Sequence, residues 1–121
     1  MRARKPAAET AGSRGSLADM PPRFVTLTLN PTVDVACDAA SVQTIHKVRT
    51  VNETYDPGGG GVNVARVLRE LGAGVTAVVC SGGVSGALLE ELLAEAGVPT
   101  RVVRIADRTR SRLSFTVVAR K

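Results

Sequence analysis

The sequence has 121 residues, of which 44% are hydrophobic, and a formal net charge of +5. That length allows one domain at most, and so high an apolar fraction excludes disorder throughout. No run approaches the roughly 18 apolar residues of a membrane-spanning helix, and with Phe24, Tyr55 and Phe115 as the only aromatics there is no stacking platform for nucleic-acid bases.

Residues 1–23 show no apolar periodicity and are rich in Ala, Arg, Ser, Gly and Pro. They lack the apolar stretch of a signal peptide and are expected to be a disordered tail. Phe24–Leu29 is β-branched and apolar, as a strand should be, and Asn30-Pro31 ends it. Val33–Cys37 and Lys47–Asn52 read as two short alternating strands, an inserted pair. Asp56-Pro57-Gly58-Gly59-Gly60-Gly61 reads as a turn before a helix over Val62–Leu71, with Gly61, Val64, Ala65, Leu68 and Leu71 inward and Gly72 closing it. Val75–Cys80 is a continuous apolar run, as in a strand buried on both faces. After a turn over Ser81–Gly86, with Ser85 as N-cap, comes a helix over Ala87–Ala96, closed by Gly97. Its Leu88, Leu89, Leu92, Leu93 and Ala96 point inward, and Glu90, Glu91 and Glu95 outward. Arg101–Ile105 and Arg112–Ala119 are the last strands, and there are no internal repeats. Alternating strands and helices imply an α/β chain with a parallel sheet, whose ligands sit beyond the carboxyl ends of the strands.

The charge is uneven. Residues 24–100 carry four basic and eight acidic residues, while residues 101–121 carry seven basic and one acidic. The arginine-rich end is a solvated edge strand, an anion site or a nucleic-acid contact. Cys37 and Cys80 form no C-x-x-C motif, which points to a reducing cytoplasm. The lone His46 has no partner motif, so no metal site is expected.

Four glycines before a patterned helix are the most informative feature. Bare backbone lets a ligand touch the main chain, and free N–H groups at a helix start favour an anion or a sugar oxygen. No Lys follows these glycines, which excludes a P-loop, and the position of the third glycine in G-x-G-x-x-G holds Asn63 or Val64. The Asn63 amide can donate and accept. Asp34, just past the first strand, can accept two sugar hydroxyls or cap a turn.

The run Thr26-Leu27-Thr28-Leu29-Asn30-Pro31-Thr32-Val33-Asp34 and the run Pro57-Gly58-Gly59-Gly60-Gly61-Val62-Asn63-Val64-Ala65-Arg66 resemble the N-terminal third of the PfkB family of carbohydrate kinases. Thr109-Arg110 is similar to a pair in its phosphosugar branch, and the resemblance runs from Phe24 to about Ala119, within a sugar-binding portion over residues 24–121. Gly60 stands where the fructose-1-phosphate, tagatose-6-phosphate and ribokinase branches usually carry lysine. The four-glycine form thus resembles the 6-phosphofructokinase branch, with the other two phosphosugar kinases as the alternative.

The resemblance implies the N-terminal part of a ribokinase-like three-layer α/β/α fold, with a small inserted β lid at about residues 33–55 and 101–121. It implies that Asp34, Gly58, Gly59 and Asn63 hold the sugar and that Arg110 pairs with its phosphate. Lys47 and Arg49 would lie on the lid, near the phosphate or a twofold partner. Arg112 departs from the smaller polar residue usual there. The implied reaction uses ATP and Mg2+ and proceeds in a homodimer joined through its lids, with no nucleic acid and no membrane. Its aspartate base belongs to a Gly-Ala-Gly-Asp motif that none of the 121 residues supplies, so no catalytic residue is assigned and the base is expected beyond Lys121. The chain alone is expected to be inactive, and a non-catalytic phosphosugar-binding or lid-pairing role is the other expectation.

Overall fold

The computed structural model describes residues 21–118. The expected tail lies largely outside these residues. So does the end of the expected lid segment, from Ala119 to Lys121. In chain order the elements are β1 (Arg23–Thr28), β2 (Thr32–Ala39), β3 (Thr50–Gly58), α1 (Gly60–Glu70), β4 (Gly74–Ser81), α2 (Gly83–Glu95), β5 (Thr100–Arg104) and β6 (Arg110–Val117). They form two three-stranded sheets. The core sheet has the order β1-β4-β5, all parallel, and the lid sheet the order β3-β2-β6. In the lid sheet β2 runs antiparallel to β3 and parallel to β6.

The core lies between the core sheet and the two helices. Val75, Ala77 and Val79 on alternate positions of β4 meet Val62 and Ala65 of α1 and Leu89 and Leu93 of α2. Leu89 and Leu93 are completely buried, which contributes about 1.5–3 kcal/mol for each leucine. Both crossovers step the same way along the sheet, so both helices cover one face. Among the described residues two of the three expected layers are therefore present. The other face of the sheet leaves Val25, Leu27 and Val103 exposed. No described helix is long and apolar enough to cross a membrane.

Each helix ends in a paired backbone motif. In α1 the N–H of Ala73 bonds Leu68 O and that of Gly72 bonds Arg69 O. In α2 the N–H of Val98 bonds Leu93 O and that of Gly97 bonds Ala94 O. Gly72 and Gly97 have φ of 83° and 73°, left-handed values that glycine adopts without cost. Both were expected as terminators.

Several expectations are corrected. Asp56-Pro57-Gly58 is not a turn but the end of β3, which begins at Thr50 rather than Lys47. Pro57 is tolerated because β3 is an edge strand and needs no N–H on its open side. The α1 face is rotated: Val62 and Ala65 are buried, while Val64 and Leu71 are exposed. The helix packs mainly over β1 and β4, so one narrow stripe suffices. Helix α2 starts at Gly83, with Gly82 rather than Ser85 at the N-cap, and Ala96 is exposed. β5, expected in the lid, pairs with β4 instead, because the α2 crossover returns the chain to the core sheet.

Two polar clusters join these layers. The Glu90 carboxylate, expected to face solvent, accepts bonds from Ser81 Oγ (2.8 Å) and Arg104 NH1 (2.7 Å), tying α2 to β4 and β5. Thr109 is buried in the turn before β6. Its Oγ1 accepts the Gly82 N–H at 3.1 Å, its N–H bonds Gly82 O at 3.0 Å, and Ser85 Oγ donates to its carbonyl at 2.6 Å. Thr109 thus pins the start of β6 to the N-terminus of α2. Thr109→Val leaves the buried Gly82 N–H unpartnered and should lower unfolding free energy by about 1–3 kcal/mol in a denaturant titration. The Arg104 hydrogen bond is the main cause holding the Glu90 carboxyl below its ordinary range, with Ser81 and the Arg104 charge adding to it against desolvation. Its stabilisation is therefore complete above the unfolded glutamate value of roughly 4.3 and is lost as pH falls through the lower folded value. Glu90→Gln should be less stable than the parent at pH 7, and thermal melts should show the gap closing as pH drops below about 4.

Candidate functional site

At the carboxyl end of β1 three backbones converge. The chain leaves the core sheet at Asn30-Pro31 to enter β2, and it returns from β3 through the glycine run into α1. Side chains would not fit between them. A Cβ on Gly58 would collide with the Asp34 carboxylate and lie 2.7 Å from Thr32 Cγ2. One on Gly59 would lie 2.8 Å from Thr28 Cγ2, and this residue has φ of 119°. One on Gly61 would strike Thr28 Oγ1 and lie 3.0 Å from Leu27 O. Gly60 is different: nothing stands within 4 Å of a Cβ there, so its glycine is not a packing requirement. It leaves the mouth of α1 uncovered instead. No side chain caps that helix, so its first N–H groups have no side-chain partner.

The lid sheet sets charged groups beside this bare backbone. Register pairs Asp34 with Asp56 of β3 and with Arg112 of β6, and Thr32 with Arg110. Two carboxylates directly opposite one another repel. Each has a cation alongside: Arg112 Nε lies 3.5 Å from Asp34 Oδ1, and Arg66 NH2 lies 3.8 Å from Asp56 Oδ1. Arg66 also donates to Pro57 O at 3.3 Å, fastening the end of β3 to α1. Asp34 Oδ1 is buried yet accepts no hydrogen bond, since the Arg112 contact is coulombic only. It is an acceptor with capacity for a ligand hydroxyl.

Arg110 extends over the same corner. Its Nε and NH2 donate to Asn30 O at 3.3 and 3.1 Å, and its side chain is otherwise open to solvent. Asp34, Gly58, Gly59 and Arg110 are therefore brought together at the base of the lid. Asn63 lies on the exposed flank of α1, beside Arg66, Val67 and Glu70, with its side chain unbonded among the described residues. Lys47 and Arg49 are not brought to this corner. They sit in the exposed loop after Ala39, at the far end of β2, which is ~23 Å of strand from Thr32. Arg66 and Thr28 escaped the sequence reading. Both stand in the runs that resemble the family, but nothing in the sequence assigned either of them a role. Among the described residues no cluster of His, Cys, Asp and Glu could hold a metal ion.

The model of the pfkB family of carbohydrate kinases matches residues 27–121. The chain is 49% identical over 96 residues to the ATP-dependent 6-phosphofructokinase isozyme 2 of Mycobacterium tuberculosis H37Rv, covering 79% of this chain and 28% of that protein. It is 40% identical over 97 residues to the isozyme 2 of Escherichia coli K12, covering 80% of this chain and 31% of that protein. The chain thus spans about a third of the length of these relatives. The crystal structure of Escherichia coli phosphofructokinase-2 in complex with fructose-6-phosphate superposes with a TM-score of 0.73 at 38% identity, over 81% of this chain and 32% of that one. A possible 1-phosphofructokinase of Thermotoga maritima gives 0.69 at 27% identity, over 79% and 32%. Glycine-lined backbone, an open carboxylate and a lid arginine thus occur together in a chain that belongs to the pfkB family of carbohydrate kinases.

Proposed function

We propose that this chain is the sugar-recognition part of an ATP-dependent phosphofructokinase and that it binds fructose 6-phosphate. The observation that carries this reading is Asp34 Oδ1, a buried acceptor without a donor at the foot of a glycine-lined, cationic corner. In this reading Asp34 accepts sugar hydroxyls, and the backbone of Gly58 and Gly59 lies against the ring. Asn63 takes a further hydroxyl, and Arg110 takes the phosphate with its planar, permanently charged fork. Greater identity with the structure holding fructose-6-phosphate than with the possible 1-phosphofructokinase, 38% against 27%, favours that sugar.

ATP with Mg2+ supplies the transferred phosphoryl group in such a reaction, where positioning and charge neutralisation do most of the work. No residue up to Lys121 is assigned to the nucleotide or to the base. The aspartates of the chain, Asp19, Asp34, Asp38, Asp56 and Asp107, all lack the Gly-Ala-Gly context. The chain by itself then binds sugar phosphate without turning it over.

The lid also carries exposed apolar side chains on the face opposite Asp34. Register aligns Val35 with Tyr55 on one side and Leu113 on the other, followed by Cys37 with Phe115. Leu113 is 64% exposed and Phe115 46%. Pairing two such faces makes a homodimer, and this would also bring the distal Lys47 and Arg49 loop of one lid close to a second subunit.

Calorimetry should detect fructose 6-phosphate binding to the 121-residue chain, and Asp34→Ala should weaken it about tenfold or more, as loss of a charged hydrogen-bond acceptor does. A coupled ADP-release assay with the same chain should show no turnover; ordinary kinase rates would refute the recognition-only reading. Leu113→Asp should shift the chain from dimer to monomer in analytical ultracentrifugation, and an unchanged mass would reject lid pairing.

A further inference from the structure

We infer that Arg112 is a second phosphate-binding residue, whose single guanidinium links the ligand's phosphate to the hydroxyl-accepting carboxylate of Asp34. This inference rests on the sugar-phosphate reading of the same corner.

The geometry begins with register. β6 places Arg110 beside Thr32 and Arg112 beside Asp34, on one face of the lid sheet. Alternate residues of a strand stand ~7 Å apart, a separation two guanidinium groups can close on one phosphate. Arg110 has already committed two of its nitrogens to Asn30 O. Arg112 is freer. Its Nε approaches Asp34 Oδ1 at 3.5 Å, its side chain is 69% exposed, and its terminal nitrogens make no hydrogen bond among the described residues. A guanidinium is a rigid fork with donors on two edges. With one edge on Asp34, the other is presented to the solvent. A molecule carrying hydroxyls and a phosphate can satisfy both groups at once.

Charge favours the same assignment. Asp34 and Asp56 face each other, and Arg66 and Arg110 would only neutralise them. A neutral corner gains little from a phosphate dianion. Arg112 makes the corner net positive before the ligand arrives. The competing role is structural: Arg112 would merely relieve the repulsion between the two carboxylates. That role makes no distinction between phosphorylated and plain sugar, which the experiment exploits.

The test is calorimetry on the 121-residue chain and its Arg112→Asn and Arg112→Lys variants, with fructose 6-phosphate, fructose and inorganic phosphate as separate ligands. Thermal melts establish that each variant is folded. Arg112→Asn should weaken fructose 6-phosphate binding about tenfold or more, the loss expected of a charge-assisted hydrogen bond. Its fructose affinity should stay within about twofold, because the contact removed serves the phosphate. Arg112→Lys should recover part of the loss, since it keeps the charge without the fork. Inorganic phosphate should bind the parent more weakly than fructose 6-phosphate, because it offers nothing to Asp34. Unchanged or tighter fructose 6-phosphate binding in Arg112→Asn overturns the assignment. So does an equal loss for fructose, which would show Arg112 acting only through Asp34. Both of those outcomes leave the sugar-phosphate reading standing, whereas a parent chain that binds no phosphosugar overturns that reading and this inference together.

Discussion

The close approach of three backbones at Gly58–Gly61 is the constraint on which the rest of this structure depends. β1 must end, the lid must leave and return, and α1 must start, all within a few ångströms. A Cβ on Gly58 would displace Asp34, and one on Gly59 or Gly61 would meet Thr28. The same absence of side chains that lets these segments meet also leaves their peptide groups bare. Gly60 differs from its neighbours, since it has room for a side chain.

The lid depends on that junction in a second way. Its polar face sets Asp34 and Asp56 opposite each other, a repulsive pair. Arg66 from α1 and Arg112 from β6 offset the repulsion from either side. These exposed ion pairs contribute little to stability. Their consequence is orientation: the carboxylates and guanidinium groups are collected over the glycine run, while the buried Thr109 fixes where β6 begins. On the other side of the lid Leu113 and Phe115 stay exposed, as does the second face of the core sheet.

Much of the fold was legible from local pattern. β4 is a continuous apolar run, Leu89 and Leu93 share a helical stripe, and Gly72 and Gly97 mark helix ends where left-handed φ is required. Asp34 and Arg110 could be placed at the site by resemblance, and Thr109 was noticed beside Arg110 without its structural role. Other features were hidden because they depend on distant partners. Glu90 looks solvent-facing on its own helix, yet Ser81 and Arg104 hold it. The rotation of α1 depends on which strands lie beneath it. The assignment of β5 to the core sheet follows from the direction of a crossover, which Thr100–Arg104 does not itself reveal.

The sequence by itself determined the α/β alternation, the glycine junction and the family, because these are short-range properties of periodicity and of contiguous motifs. Tertiary structure alone decided the charge arrangement of the lid and the separation of Lys47 and Arg49 from the corner formed by Asp34 and Arg110. It also showed that Asp34 Oδ1 is buried without a donor. The physical reason is register: which residues face one another across a sheet depends on how strands far apart in the chain align, and a shift of one residue would turn every one of these side chains to the opposite face.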